Sequence, residues 1–141
     1  MTIEHLAHYS IRTDQLERCE TFYCEVLGLR AGYRPSFPFP GIWLYQGTDE
    51  STYGVVHLIG TGQGQDTALN DYLGEANTSE GTGALDHIAF IASNWPQTRA
   101  RFQDMRVPFH QRHVPDLGLH QVFLRDPNGI VIELNYPADE S

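Results

Sequence analysis

The sequence predicts an α+β fold made of two modules, each with the order β-α-β-β-β. Three observations predict it. Apolar residues alternate with period two, shift to offsets of three and four, and return to period two within residues 1–60; the same succession restarts at residue 84 and runs to 141. A stretch rich in Gly, Gln, Thr and Asn, residues 61–83, separates the two passages as a linker would. Polar residues able to bind metal recur at matching places, His8 and His57 in the first half and His87 and Glu133 in the second, at nearly equal separations.

The first module opens with an alternating strand over residues 3–12, with Leu6, His8 and Ser10 on one face and Ala7, Tyr9 and Ile11 on the other. Asp14 and Glu17 make a candidate capping pair, and Leu16, Cys19, Tyr23 and Val26 recur as the apolar face of a helix that Gly28 ends. Residues 29–33 form a second strand. Residues 34–41, with three prolines and two phenylalanines, cannot be helical and read as a stiff aromatic loop, either a lid or a dimer contact. Residues 42–46 form a third strand with Trp43 and Tyr45 facing away from Ile42 and Leu44. After a polar turn over residues 48–52, residues 53–60 form the fourth strand, which carries His57.

Within the linker one helical turn is expected around residues 68–73. The second module begins with a strand over residues 84–92, with His87, Ala89 and Ile91 on one face. Asn94 can cap the following helix, Pro96 suits its first turn, and Trp95, Thr98, Phe102 and Met105 mark its buried side. Strands over residues 109–114, 119–125 and 130–136 complete the module, the last two joined by Asp126-Pro127-Asn128-Gly129. There Pro127 fixes φ and Asn-Gly supplies the positive φ a hairpin turn needs. Along the last strand Ile130, Ile132 and Leu134 point one way and Val131, Glu133 and Asn135 the other. A carboxylate between isoleucine and leucine either meets water on a solvated face or, if buried, must be paired, protonated or metal-bound.

Composition narrows the function. The net charge of −9 and a pI near 5.0 argue against a nucleic-acid or anionic-membrane partner. All nine basic residues are arginine, which excludes Schiff-base lysines and a P-loop lysine. No apolar run reaches membrane-spanning length and the N-terminus shows no charged-then-apolar leader, so a cytoplasmic protein is expected. Cys19 and Cys24 read as free thiols of a reducing compartment, with Cys19 in the core. Among the seven histidines, His8, His57 and His87 occupy repeat-related strand positions, and with Glu133 they form a donor set suited to one divalent transition ion, zinc, nickel, manganese or iron. It does not suit calcium, which requires oxygen ligands throughout. His5, His110 and His113 are assigned no role.

The residues that carry the repeat also match a known pattern. His8, the run from Asp14 to Arg18, Phe22-Tyr23 and Val26-Leu27-Gly28-Leu29, then Leu85-Asp86-His87-Ile88-Ala89-Phe90, Asp126-Pro127-Asn128-Gly129 and Ile132-Glu133-Leu134, resemble the vicinal oxygen chelate superfamily of glyoxalases, bleomycin-resistance proteins and extradiol dioxygenases. The resemblance spans essentially the whole chain. It implies paired βαβββ modules forming a cup-shaped, mostly antiparallel sheet with helices outside, a metal held by His8, His57, His87 and Glu133, and commonly a homodimer. It also implies a small-molecule substrate bound through vicinal oxygens, the metal stabilising the anion that develops on them.

Reaction type is less constrained, since one fold hosts several chemistries. Glyoxalases often carry Glu where this chain has His57, which could be a fourth ligand or a general base. The extradiol pattern places iron(II) on slots matching His8, His87 and Glu133, but its tyrosine falls nearest Phe123. The leading expectation is a metal-dependent isomerase or lyase. The alternatives are an iron(II) ring-cleaving dioxygenase and a non-catalytic binding or resistance protein. The expected pocket wall is Trp43, Tyr45, Gln121 and Phe123, with His120 behind it and Arg12 or Arg125 available for an anionic group. Trp43 and Tyr45 could equally pack against the other module or a dimer mate.

Overall fold

In a computed structural model of the chain, residues 1, 6, 8–50, 54–62, 67–73, 85 and 87–140 are described. The expectations for His5, Ala7, Tyr53, Ala84 and Asp86, and for most of the linker, lie outside these residues. The chain divides into two compact units, Met1–Glu80 and Gly81–Ser141.

The first unit contains β1 (Tyr9–Thr13), α1 (Leu16–Thr21), β2 (Arg30–Gly32), β3 (Gly41–Tyr45), β4 (Val56–Gly60) and α2 (Thr67–Leu73). Its sheet runs β1-β4-β3-β2, with β1 parallel to β4 and the other neighbours antiparallel. The second contains β5 (His87–Ile91), α3 (Trp95–Asp104), β6 (His110–Val114), β7 (Leu119–Arg125) and β8 (Val131–Pro137). Its sheet has the equivalent order, β5-β8-β7-β6, again with one parallel pair, β5 with β8. The βαβββ repeat read from the sequence is therefore present in both units.

The strand interiors follow from burial. Every residue of β4 is buried, including His57, so this strand is covered on both faces. Leu69 of α2 is buried against Phe39 and Ile59, so the helical turn expected inside the linker packs into the first unit's core. In the second unit Trp95 is the centre of an aromatic cluster, with ring centroids 5.3 to 6.3 Å from His120, Phe109, Tyr136 and Phe102. Such edge-on and tilted pairs combine large buried area with favourable quadrupole geometry.

Three local features differ from the sequence expectation, each for a physical reason. The first helix does not continue as α to Gly28. It widens into a π turn over Phe22–Val26, with the Leu27 N–H donating to the Phe22 carbonyl at 3.1 Å. The wider turn lets two consecutive rings, Phe22 and Tyr23, both be buried, edge to face at 5.3 Å. Asp14 is exposed and does not cap α1; the cap position is Gln15, whose N–H donates to the buried Thr13 Oγ1 at 3.0 Å. Asn94 adopts a left-handed conformation (φ 62°) and makes no side-chain cap. The first N–H of α3, from Trp95, donates instead to the Glu140 carboxylate at 3.1 Å, a charge placed where the helix dipole favours it.

The end of α3 supplies a direct test of backbone strain. Arg106 closes the helix with φ 55°; its N–H donates to Gln103 O and that of Val107 to Phe102 O, a Schellman arrangement whose left-handed position favours glycine. Arg106→Gly should raise stability by about 0.5–1 kcal/mol in urea denaturation, a gain limited by glycine's extra chain entropy. A loss of stability would show that the arginine side chain contributes more than its backbone costs.

The turn before β8 is built more firmly than Pro and Asn-Gly alone require. Asp126 Oδ1 accepts the N–H groups of Asn128 (2.8 Å) and Ile130 (2.9 Å), while its Oδ2 accepts Asn128 Nδ2 at 3.0 Å. Gly129 takes φ 87°, which an L side chain rarely adopts. This turn sets Gln121 opposite Asn135 and Phe123 opposite Glu133 in the β7–β8 ladder. Among the described residues, no helix is long and apolar enough to cross a membrane.

Candidate functional site

In the first unit, His8 and His57 meet. His8 immediately precedes β1, His57 lies on β4, and their rings stack with centroids 3.8 Å apart and planes 15° off parallel. Trp43 lies directly opposite His57 in the β3–β4 ladder and stacks on its other side at 4.0 Å and 6°. His57 is thus the middle ring of a three-ring stack and is 7% exposed. Its Nε2 and His8 Nδ1 are buried without a hydrogen-bond partner. Burial first, then the neighbouring His8, lowers the His57 pKa from 6.5 to about 4, with Arg34 adding to the effect against a Gly54 backbone hydrogen bond. The imidazole is therefore neutral at pH 7, with a lone pair or N–H that has no protein partner. An unsatisfied buried ring nitrogen is costly and calls for an explanation.

In the second unit, His87 and Glu133 meet. Glu133 on β8 is buried, with its register neighbour Ala89 on β5 and Phe123 on β7. His87 Nε2 stands 3.2 Å from Glu133 Oε2. The other carboxylate oxygen, Oε1, accepts hydrogen bonds from Gln121 Nε2 (2.9 Å) and Asn135 Nδ2 (2.8 Å). Gln121 Nε2 also donates to Asn135 Oδ1 at 2.9 Å, and Arg112 donates through Nε and Nη2 to Gln121 Oε1 at 3.1 and 2.7 Å. Both side-chain amides thus have fixed orientations, and they hold one carboxylate oxygen while the other faces His87. Asn135 and Arg112 were not among the residues read as functional from sequence. Strand alternation places Asn135 beside Glu133, but which amide would reach which oxygen is decided by the β7 partner.

The two pairs are equivalent by register. His57 pairs across to Ser10 and Trp43 as Glu133 pairs to Ala89 and Phe123, with His8 and His87 two residues before those first-strand partners. Among the described residues, no group of three or more His, Cys, Asp or Glu side chains is placed to hold a metal ion. Within the first unit His8 and His57 are in contact, and within the second His87 and Glu133 are.

A cavity of about 400 Å³ opens beside the first pair, lined by His8, Arg34, Phe37, Phe39, Trp43 and His57 among others. The aromatic loop thus forms a wall of this pocket. Tyr45 is not on that wall: its ring is buried and its hydroxyl donates to the Tyr33 carbonyl at 2.6 Å. Gln121 belongs to the Glu133 bracket. Phe123, stacked on His110 at 5.0 Å, lines a separate cavity of about 350 Å³ in the second unit, which also includes Arg125. His120 pairs across to Tyr136, so alternation turns it away from Glu133 into the core. There its Nε2 is 2.8 Å from Gln111 Oε1, and burial, then His113, lowers its pKa. Neither Cys19 nor Cys24 is in a disulfide, and the buried Cys19 Sγ lies 3.5 Å from Thr13 Oγ1.

With this geometry in place, comparison with known proteins adds the following. The sequence profile of the glyoxalase/bleomycin resistance protein/dioxygenase superfamily matches residues 5–134. No curated protein sequence matches significantly. Similar solved structures include a lactoylglutathione lyase from Agrobacterium tumefaciens, at 19% identity over 96% of each chain and a TM-score of 0.64. An integron cassette protein from V. cholerae matches at 23% identity over 96% of this chain and 97% of its own, with a TM-score of 0.66. An antibiotic binding protein from Streptomyces matches at 19% identity over 97% and 98%, with a TM-score of 0.62. At these identities the likeness concerns the fold.

Proposed function

Because the chain belongs to the glyoxalase/bleomycin resistance protein/dioxygenase superfamily, we propose that it is a divalent-metal-dependent enzyme, a lyase or isomerase acting on a small substrate bound through two adjacent oxygens. The observation that carries this reading is the buried, neutral His57 imidazole with an unpartnered Nε2, stacked against His8 whose Nδ1 is also unpartnered. Such nitrogens suit a metal ligand, which must be unprotonated. Glu133 supplies the matching anionic donor in the second unit, and the proposed ligand set is His8, His57, His87 and Glu133. The proposed ion is one of zinc, nickel, manganese or iron(II). When bound, the ion supplies Lewis-acid polarisation of the two substrate oxygens.

The chain's own residues do the rest. Gln121 and Asn135 fix the Glu133 carboxylate, and Trp43 and His8 fix the plane of His57. A histidine whose pKa is near 4 is a weak proton acceptor, which favours His57 as ligand over general base. The proposed assembly is a homodimer in the cytoplasm, in keeping with two cysteines outside any disulfide. A second reading is a binding protein without chemistry, since an antibiotic binding protein shares the fold.

Elemental analysis of tag-free protein reconstituted in turn with nickel, manganese, zinc and iron(II) tests the proposal. About one ion per chain should be retained, and acetohydroxamate, a bidentate oxygen probe, should perturb the spectrum of the nickel form. Retention of none of the four ions would refute the metal-dependent reading and leave the binding-protein reading standing. Oxygen uptake by the iron(II) form with catechols would transfer the assignment to the dioxygenase class.

A further inference from the structure

The cavity beside His57 contains a cation, Arg34. Arg34 sits on its wall, partly buried, with Nη2 donating to the Phe39 carbonyl at 2.9 Å. Its guanidinium lies 5.0 Å from the Phe37 ring centroid and 5.3 Å from that of Phe39. Gly41 makes room for it: a Cβ there would fall 2.9 Å from Nη2 and 3.0 Å from Nε. The fork is thus held on three sides before any ligand arrives. Among the described residues no carboxylate pairs with it, whereas Arg30 meets Glu50, and Arg112 and Arg125 spend their donors on Gln121 and the Gly129 carbonyl.

A partly desolvated guanidinium offset only by two aromatic faces and one backbone carbonyl retains unmet capacity for an anion. Burial lowers the Arg34 pKa. A flexible surface arginine would lose conformational entropy on gripping a ligand; this one is already ordered, which favours planar, two-point recognition. The net charge of −9 makes nonspecific anion attraction an inadequate explanation, because the long-range field is repulsive. The remaining walls, Phe37, Phe39 and Trp43, offer flat apolar surface, and a cavity of about 400 Å³ admits a ligand with one or two rings.

We propose that Arg34 is the anion-recognition residue of this pocket and that the ligand class is a flat, apolar-bodied carboxylate, its carboxylate on the guanidinium and its body against Phe37, Phe39 and Trp43. The inference rests on the reading of the His57 pocket as the substrate site and names the substrate's chemistry there. It requires no metal to be tested.

Full-length protein stripped of metal with EDTA is titrated by calorimetry with cinnamate and with its neutral counterpart cinnamyl alcohol. Cinnamate should bind at least about ten-fold more tightly, the scale of one charge-assisted contact. In Arg34→Met the two ligands should bind alike, with cinnamyl alcohol unchanged within about two-fold, and Arg34→Lys should retain only part of the preference, because it keeps the charge and loses the fork. The indole N–H resonance of Trp43 should shift on titration while that of Trp95, buried in the other unit, stays put. Equal affinities in the parent protein, absence of cinnamate binding at millimolar concentration, or a preference surviving in Arg34→Met would overturn the proposal. Metal retention is measured in parallel: loss of metal binding with the cinnamate preference intact would refute the metal-dependent function and leave Arg34 in its role.

Discussion

Glu133→Leu should cost the fold about 2–5 kcal/mol and lower metal affinity by more than about 100-fold, whereas Glu133→Gln should cost the metal and spare most of the stability. Leucine removes the acceptor of one N–H of Gln121 Nε2, which keeps its bond to Asn135 Oδ1, and of one N–H of Asn135 Nδ2; each lost bond leaves a buried N–H with a desolvation penalty. Glutamine keeps a carbonyl oxygen for both and presents its amide towards His87, so these hydrogen bonds survive and the proposed anionic ligand does not. Urea denaturation and competition against a chromophoric chelator separate the two effects. Equal stability of the leucine variant would mean that water reaches the bracket. Undiminished metal binding by the glutamine variant would remove Glu133 from the ligand set.

Acidification should weaken the metal-free protein through His57 by about 3 kcal/mol. The folded-state pKa is lowered from 6.5 to about 4, so between those values the unfolded chain takes up a proton that the folded one does not. The contribution is fully present above pH 6.5, declines as pH falls, and is fully lost below pH 4. His120, also lowered by burial, acts with the same sign. Carboxylates titrate in the same range, so the quantity to read is the difference in pH dependence between parent and His57→Gln. A parent and variant with parallel profiles from pH 7 to 4 would show that His57 is hydrated in solution.

Much of this was legible because repeats translate directly into register. Once His8 and His57 are placed on the first and last strands of one βαβββ unit, the same arithmetic finds His87 and Glu133, and the ladders put them at equivalent positions. Period-two alternation assigned faces correctly, for instance grouping Asn135 with Glu133. It does not say how far along a strand a pocket extends. Tyr45 shares the face of Trp43 yet lies one step too far along β3, where its hydroxyl finds the Tyr33 carbonyl. His120, expected behind the pocket wall from its place early in a strand, takes the face opposite Gln121 and Glu133, because neighbouring residues on a strand face opposite ways.

Other features depend on contacts between segments that are remote in sequence. The Glu140 cap on α3 joins the chain's last turn to Trp95, and Thr13, not Asp14, serves Gln15 because the carboxylate projects into solvent. Arg34 is silent in the sequence for a similar reason. Nothing in Arg-Pro-Ser-Phe-Pro-Phe-Pro-Gly says that the loop folds back so that its arginine rests against its own glycine. The π turn is hidden too, since Leu16, Cys19, Tyr23 and Val26 satisfy an α-helical pattern and only the burial of Phe22 as well departs from it.

The Asp126–Gly129 turn has a consequence for how the chain tolerates change. Side chains on adjoining strand positions face opposite ways, so the turn acts as a phase marker for everything downstream in β8. A single residue inserted there, if the β7–β8 ladder re-formed one step out of phase, would exchange the Glu133 and Asn135 face with the Ile132 and Leu134 face, burying a carboxylate among apolar side chains and delivering leucine to Gln121. The Glu133 carboxylate and the core are thereby tied to one decision, made by four residues. Length variation in that loop is accordingly far more constrained than its surface composition suggests.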